Sequence, residues 1–168
     1  MTTLEPITNP QPTTTLNVIA PRDLASRPRS LAQAVQATVR TVDEATLRPV
    51  ARRDAGLALQ PKALLALLSY CYACQIYASA QVEDVVRRDE NFRKLCHNEV
   101  PDEWVIRSYR HHNREAIQFC LMTALCYMAE EKVRQGIVAK VNVVSFAEEA
   151  KRRIIMAMFL DSVALDGE

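Results

Sequence analysis

From Pro61 the chain runs PKALLALLSYCYACQIYA, a nearly unbroken apolar stretch with no polar face wide enough to meet water. A segment of that kind has to be surrounded, either by lipid or by other elements of the same fold. Ser69, Gln75 and Ser79 interrupt the longest apolar run, Ala63 to Ala80, and its dense Ala and Cys suit a buried helix better than a membrane span. Pro61 stands where a first-turn proline is tolerated. The chain has only three Gly in 168 residues, and aromatics make up 6% of it, which is a helix-forming balance. The expected fold is therefore all-α, a compact multi-helix bundle. A chain of this length buries roughly two-thirds of its unfolded surface without metal or disulfide staples.

The remaining elements follow from periodicity and punctuation. Residues 1–29 carry prolines among Thr, Asn and Gln and read as a disordered arm; residues 30–168 read as one helical domain. Leu31, Ala34, Val35 and Val39 share one face of a first helix beginning near Ser30 and ending near Arg40. A second, short helix is expected from Val42 to Arg52. After the core helix, Ser79 is expected to cap an amphipathic helix with Val82, Val85 and Val86 inward, and DENFRKLC adds a turn or two anchored by Phe92 and Leu95. HNEVP breaks that pattern, and Asp102 is a good N-cap for the next helix. A long helix carries Ile117, Leu121, Ala124, Leu125 and Met128 inward and stops at Gly136. IVAKVNVV reads as an extended connector or a lone strand. A final helix opens at Ser145, with Glu148 at capping-box spacing and with Glu148–Arg152 and Glu149–Arg153 as supporting pairs; it reaches about Leu165.

Net charge and cysteines narrow the function classes. A formal charge of +1 excludes binding to nucleic acid by bulk charge, so any such affinity must come from local placement. Five cysteines without a secreted-scaffold spacing point to reduced thiols and a cytoplasmic protein, and no basic-then-apolar leader opens the chain. Cys71 and Cys74 form a CxxC inside an apolar helix and read as small core residues. No metal-ligand set, Gly-rich phosphate loop or nucleophile elbow is visible, so neither a cofactor nor a metal is expected, and an enzyme working through Cys or His has no visible chemistry.

Between Asp102 and Arg114, Val105, Tyr109, His112 and Ala116 fall on one helical face. Trp104, Arg107, Arg110, His111 and Arg114 fall on another, the last four at i, i+3, i+4 and i+7. If one helix continues through this region, the cations form an outward stripe suited to phosphates or guanine edges. With Arg87 and Arg88, these are the candidate DNA-binding residues. From residue 87 to residue 114, seven Lys or Arg stand against five Asp or Glu, a modest excess that a solvated face also satisfies.

The run from Pro61 to Glu115 resembles the N-terminal domain of insertion-sequence transposases of the InsH type, which precedes a DDE catalytic domain. The resemblance rests on Pro61 opening a Leu-rich helix with Tyr70 and Tyr72, then Ser79, the Arg87-Arg88-Asp89 cluster, Phe92, Leu95, Pro101-Asp102, and a helix ending in Arg and His. It implies a helical, helix-turn-helix-like domain that helps bind the element's terminal inverted repeats, with Arg107, Arg110, His111 and Arg114 on the contacting helix. Glu103 and Trp104 depart from the Ser or Thr common after the Asp, and an acid there weakens phosphate contact. The carboxylates of a DDE domain are not expected in this chain, so no nuclease activity is expected; Asp166 in VALDGE reads as a frayed helix end. The alternative is a helical interaction module that pairs with itself or with a full-length transposase through Ile154, Met158 and Phe159 of the last helix.

Overall fold

The computed structural model describes residues 27–51, 59–138 and 145–167. Seven α-helices and a single 3-10 turn make up the described residues, with no strand among them. No helix there is long and apolar enough to cross a membrane. The arm expected over residues 1–29 lies outside the described residues except for its last three. Six of the eight residues of IVAKVNVV lie outside them too.

Helix α1 (Leu31–Thr41) starts where Ser30 Oγ accepts the Gln33 N–H at 3.2 Å, and it turns Ala34, Val35, Thr38 and Val39 inward. The helix expected over Val42–Arg52 does not form. Asp43 instead caps one 3-10 turn, Glu44–Thr46. Beyond it, Leu47 and Val50 are buried from non-helical backbone. Pro49 gives the physical reason, since its ring lacks an N–H and clashes with the carbonyl four residues back in a helix interior. The Arg52 end of that expectation lies outside the described residues.

Helix α2 (Pro61–Ala73) is the core helix, with Leu64, Leu65, Leu67 and Leu68 all fully buried although they point in several directions around the axis. It packs against α1 and against α6 (Arg114–Arg134), and α6 in turn carries α7 (Ser145–Asp166). Between α2 and α6 in the chain come α3 (Ser79–Arg88), α4 (Glu90–Leu95) and α5 (Glu103–His112), and α4 and α5 also rest on α2. Phe92 of α4 meets Tyr70 of α2 edge to face at 5.3 Å between ring centres. Asp102 caps α5, accepting the Val105 N–H at 2.8 Å. Gly136, at φ 74°, ends α6 in the left-handed geometry its missing Cβ permits, and the Ile137 N–H reaches back to the Lys132 carbonyl at 2.9 Å.

Helix α7 holds the bundle through two polar groups rather than through its apolar face alone. Arg153 Nη1 donates to the Tyr72 and Ala73 carbonyls, each at 2.9 Å, and so closes the C-terminal end of α2. Eight residues on, about 12 Å along the helix, the Asp161 carboxylate accepts the Ser79 backbone N–H at 2.8 Å and the Ser79 hydroxyl at 2.6 Å. Ser79 is thus not the cap of α3 but the first residue capped. The remote carboxylate supplies what Ala78, the actual N-cap residue, has no side chain to give. Of the two pairs expected within α7, Glu149–Arg153 forms at 2.8 Å, whereas Arg152 pairs with Glu149 at 3.0 Å rather than with Glu148.

Candidate nucleic-acid interface

The candidate cations do not form one stripe. Helix α5 ends at His112, and Asn113, at φ −122° and ψ 28°, turns the chain so that Arg114 opens a separate helix. The i, i+3, i+4, i+7 spacing assumed continuous winding, and that winding is broken between its third and fourth members. Asn113 makes the break stable: its Oδ1 accepts the Arg48 N–H at 2.7 Å, and its Nδ2 donates to the Arg48 carbonyl at 2.9 Å. The side chain of a buried residue thus ties the junction to the segment after α1.

Arg110 is a correction. It is 4% exposed and forms a buried ion pair with Asp161, with Nη1 also donating to the Tyr72 hydroxyl at 3.0 Å and lying 3.4 Å from Ser79 Oγ. The inner face of α5 is Val105, Ile106, Tyr109 and Arg110, an arc broader than the one read from the sequence. Burial works to lower the Arg110 pKa, but Tyr72 and the Asp161 carboxylate outweigh it and raise it, so the guanidinium stays charged inside the protein. Burial pushes the Tyr72 hydroxyl up to about 12, against the opposing pull of Arg110. His112, placed by its spacing on one face with Val105 and Tyr109, is exposed where they are buried, and its Nδ1 lies 2.8 Å from the Ser108 carbonyl.

Three of the remaining candidates are held by carboxylates one turn earlier. Arg87 pairs with Glu83 at 2.6 Å, Arg88 with Asp84 at 2.8 Å, and Arg107 with Glu103 at 2.9 Å. Glu83 also accepts the Glu103 N–H at 3.0 Å, which links the middle of α3 to the start of α5. His111 and Arg114 are exposed at the α5–α6 junction, and Arg114 pairs with no carboxylate among the described residues. They line an open groove of about 610 Å³ with Thr46, His112 and Phe119, and Glu115 is the one acid in its wall. Arg48, which the sequence reading passed over, is exposed beside this groove; the Pro49 that follows it was its visible signal as a loop residue.

Burial disfavours the thiolate at Cys71, Cys74, Cys120 and Cys126. Cys71 is buried and its thiol is pushed up by desolvation, and burial likewise raises Cys120 to about 12. Cys74 is not a core residue as the sequence implied but the exposed C-cap of α2; partial burial still raises its pKa. Among the described residues no three His, Cys, Asp or Glu converge as metal ligands.

Comparison with known proteins gives one match. The family model described as Transposase domain (DUF772) covers residues 25–129, from the approach to α1 through most of α6. No curated protein and no solved structure matches the chain.

Proposed function

The chain belongs to the transposase-domain family, and from that premise we propose that it is a DNA-binding helical domain of a transposase-type system. It engages the terminal inverted repeats of an insertion element and performs no strand cleavage itself. The observation that carries this reading is the α5–α6 junction, which lies inside the family-matched region and leaves Arg114 and His111 exposed on one open groove, with Arg48 exposed on the segment tied to Asn113. Arg107, Arg87 and Arg88 are not in the lining of that groove, and their charge is shared with Glu103, Glu83 and Asp84. Phosphate contact by such groups positions a protein on duplex DNA without reading sequence.

The test is fluorescence anisotropy with labelled mixed-sequence duplex DNA across a salt series. Affinity is expected to fall steeply as salt rises, and Arg114→Ala to lower the log–log slope by about 0.9, the release expected for one phosphate contact. Absence of binding even at low salt overturns the proposal.

A second reading has its own observation. On α7, Ile155, Phe159 and Val163 repeat at i, i+4 and i+8 and are 53%, 59% and 52% exposed, whereas Ile154, expected in this surface, is 1% exposed and belongs to the core. Such a stripe fits pairing with a second copy of the chain or with a full-length transposase. It lies outside the family-matched residues. Light scattering at rising concentration tests the self-pairing form: a mass that climbs toward a dimer in the parent and stays monomeric in Phe159→Glu supports it, and a monomer throughout removes it.

A further inference from the structure

The outer face of α1 carries a second arrangement of cations that the α5 stripe had obscured. Gln33, Gln36 and Arg40 recur at intervals of three and four residues, which places them within one narrow sector, opposite Ala34, Val35, Thr38 and Val39 in the core, and Arg29 stands just before the Ser30 N-cap. Together they line a groove of about 530 Å³, and Gln36 and Arg40 are shared with an adjoining groove of about 290 Å³ that Lys62 and His97 border. Lys62 Nζ donates to the Arg40 carbonyl at 3.5 Å, which holds its ammonium at the C-terminal end of α1. Neither Arg29, Arg40 nor Lys62 pairs with a carboxylate among the described residues. Among the described residues, acids stand toward the margins: Glu44 on the second groove, and Glu130 and Glu131, which hold Arg27 at 3.3 and 3.9 Å.

We propose that this face of α1 lies in the major groove of duplex DNA, with Arg29, Arg40 and Lys62 on phosphates and Gln33 and Gln36 at base edges. The inference rests on the DNA-binding reading and deepens it by naming the helix that reads. Leu31 and Arg40 span about 14 Å of helix, with Arg29 just before its first turn, while the major groove is about 12 Å wide, so the two arginines can reach opposite backbones. The glutamines lie between them, about 4.5 Å apart along the axis. Amide side chains present a donor and an acceptor together, the pair that adenine offers in the major groove. Gln33 Oε1 already accepts the Arg29 N–H at 2.8 Å, so Gln33 offers chiefly its donor and Gln36 the donor–acceptor pair. Ala32 and Ala37 beside the stripe leave room for close approach. An acidic protein surface would satisfy the arginines but has no use for paired amides between them.

The full chain, the Arg29→Ala/Arg40→Ala/Lys62→Ala triple variant and the Gln33→Ala/Gln36→Ala double variant are titrated against labelled duplex DNA across a salt series, with duplex RNA of the same sequence and polyglutamate as competitors. Denaturation curves matching the parent establish that both variants fold. The expected result is a triple variant whose log–log salt slope falls by about 0.9 for each phosphate-bound cation removed. The double variant keeps its slope but loses roughly tenfold in discrimination among duplexes selected by the parent. RNA competes poorly, because its deep, narrow major groove excludes a helix. Parent binding with an unchanged slope in the triple variant overturns this inference and leaves the proposed function standing, whereas no binding by the parent overturns both. Equal competition by polyglutamate, or unchanged discrimination in the double variant, also overturns the base-reading role of α1.

Discussion

Arginines on α3 and α5 and arginines around α1 look alike in composition and differ in what stands one turn before them. On α3 and α5 that position holds Glu83, Asp84 and Glu103, each within 3 Å of its arginine. On α1 the position before Arg40 holds Gln36, and the face carries amides where the other carries carboxylates. An exposed pair of this kind contributes only about 0.3–0.5 kcal/mol to stability, yet a phosphate must compete with the resident carboxylate before it gains the full charge. Counting cations along a chain therefore overstates the α3–α5 region and understates α1. Arg110 extends the lesson: its partner is not one turn away but on another helix, and the pair is closed to any ligand.

The largest effect expected from breaking this comparison is at that pair. Asp161→Ala leaves a buried guanidinium without its counterion and the Ser79 N–H without its acceptor, and denaturant titration should show a loss of about 3–5 kcal/mol. Arg110→Ala should cost a similar amount, while DNA affinity measured where the variant remains folded should stay at the parental level. A variant that kept its stability and lost its binding would instead return Arg110 to the DNA-facing side.

The division between what was legible and what was not follows the range of the interactions involved. Pro61 at the start of α2, Asp102 before α5 and Gly136 after α6 act within four or five residues, and they are where the chain's own punctuation put them. The all-α core around α2 followed from a helix apolar on every side. Arg110 was misread because its environment is set by Asp161, fifty-one residues on. The α5–α6 break was left open because Asn113 is held by Arg48, sixty-five residues back. The short helix expected before α2 failed for a local reason, Pro49, that hydrophobic spacing outweighed in the reading. The α1 face had a signal in plain view, two arginines bracketing two glutamines with no acid between, but only the pairing of the competing cations gives it weight.

A smaller effect is expected at the junction itself. Asn113→Ala removes both hydrogen bonds to Arg48, including the acceptor for its N–H, and should lower stability by about 1–3 kcal/mol in thermal or denaturant unfolding. It should also weaken DNA binding at salt concentrations where Arg114→Ala does, because the groove between α5 and the segment at Arg48 loses its tie. If stability falls and binding is untouched, the junction is scaffold, and the contact belongs to α1 alone.

The smallest change sharpens the contrast most directly. Glu103→Gln keeps the size of the side chain and removes the charge that holds Arg107, at a stability cost of no more than about 0.5 kcal/mol. Were pairing the reason α5 contributes little, the freed guanidinium would then reach phosphate, and the log–log salt slope would rise by up to about 0.9. The same substitution in the Arg29→Ala/Arg40→Ala/Lys62→Ala background separates the two regions: a rise there shows that DNA passes close to α5 as well as α1. An unchanged slope in both backgrounds means that α5 stands away from the duplex, and that its arginines serve only the turns of helix they are already bonded to.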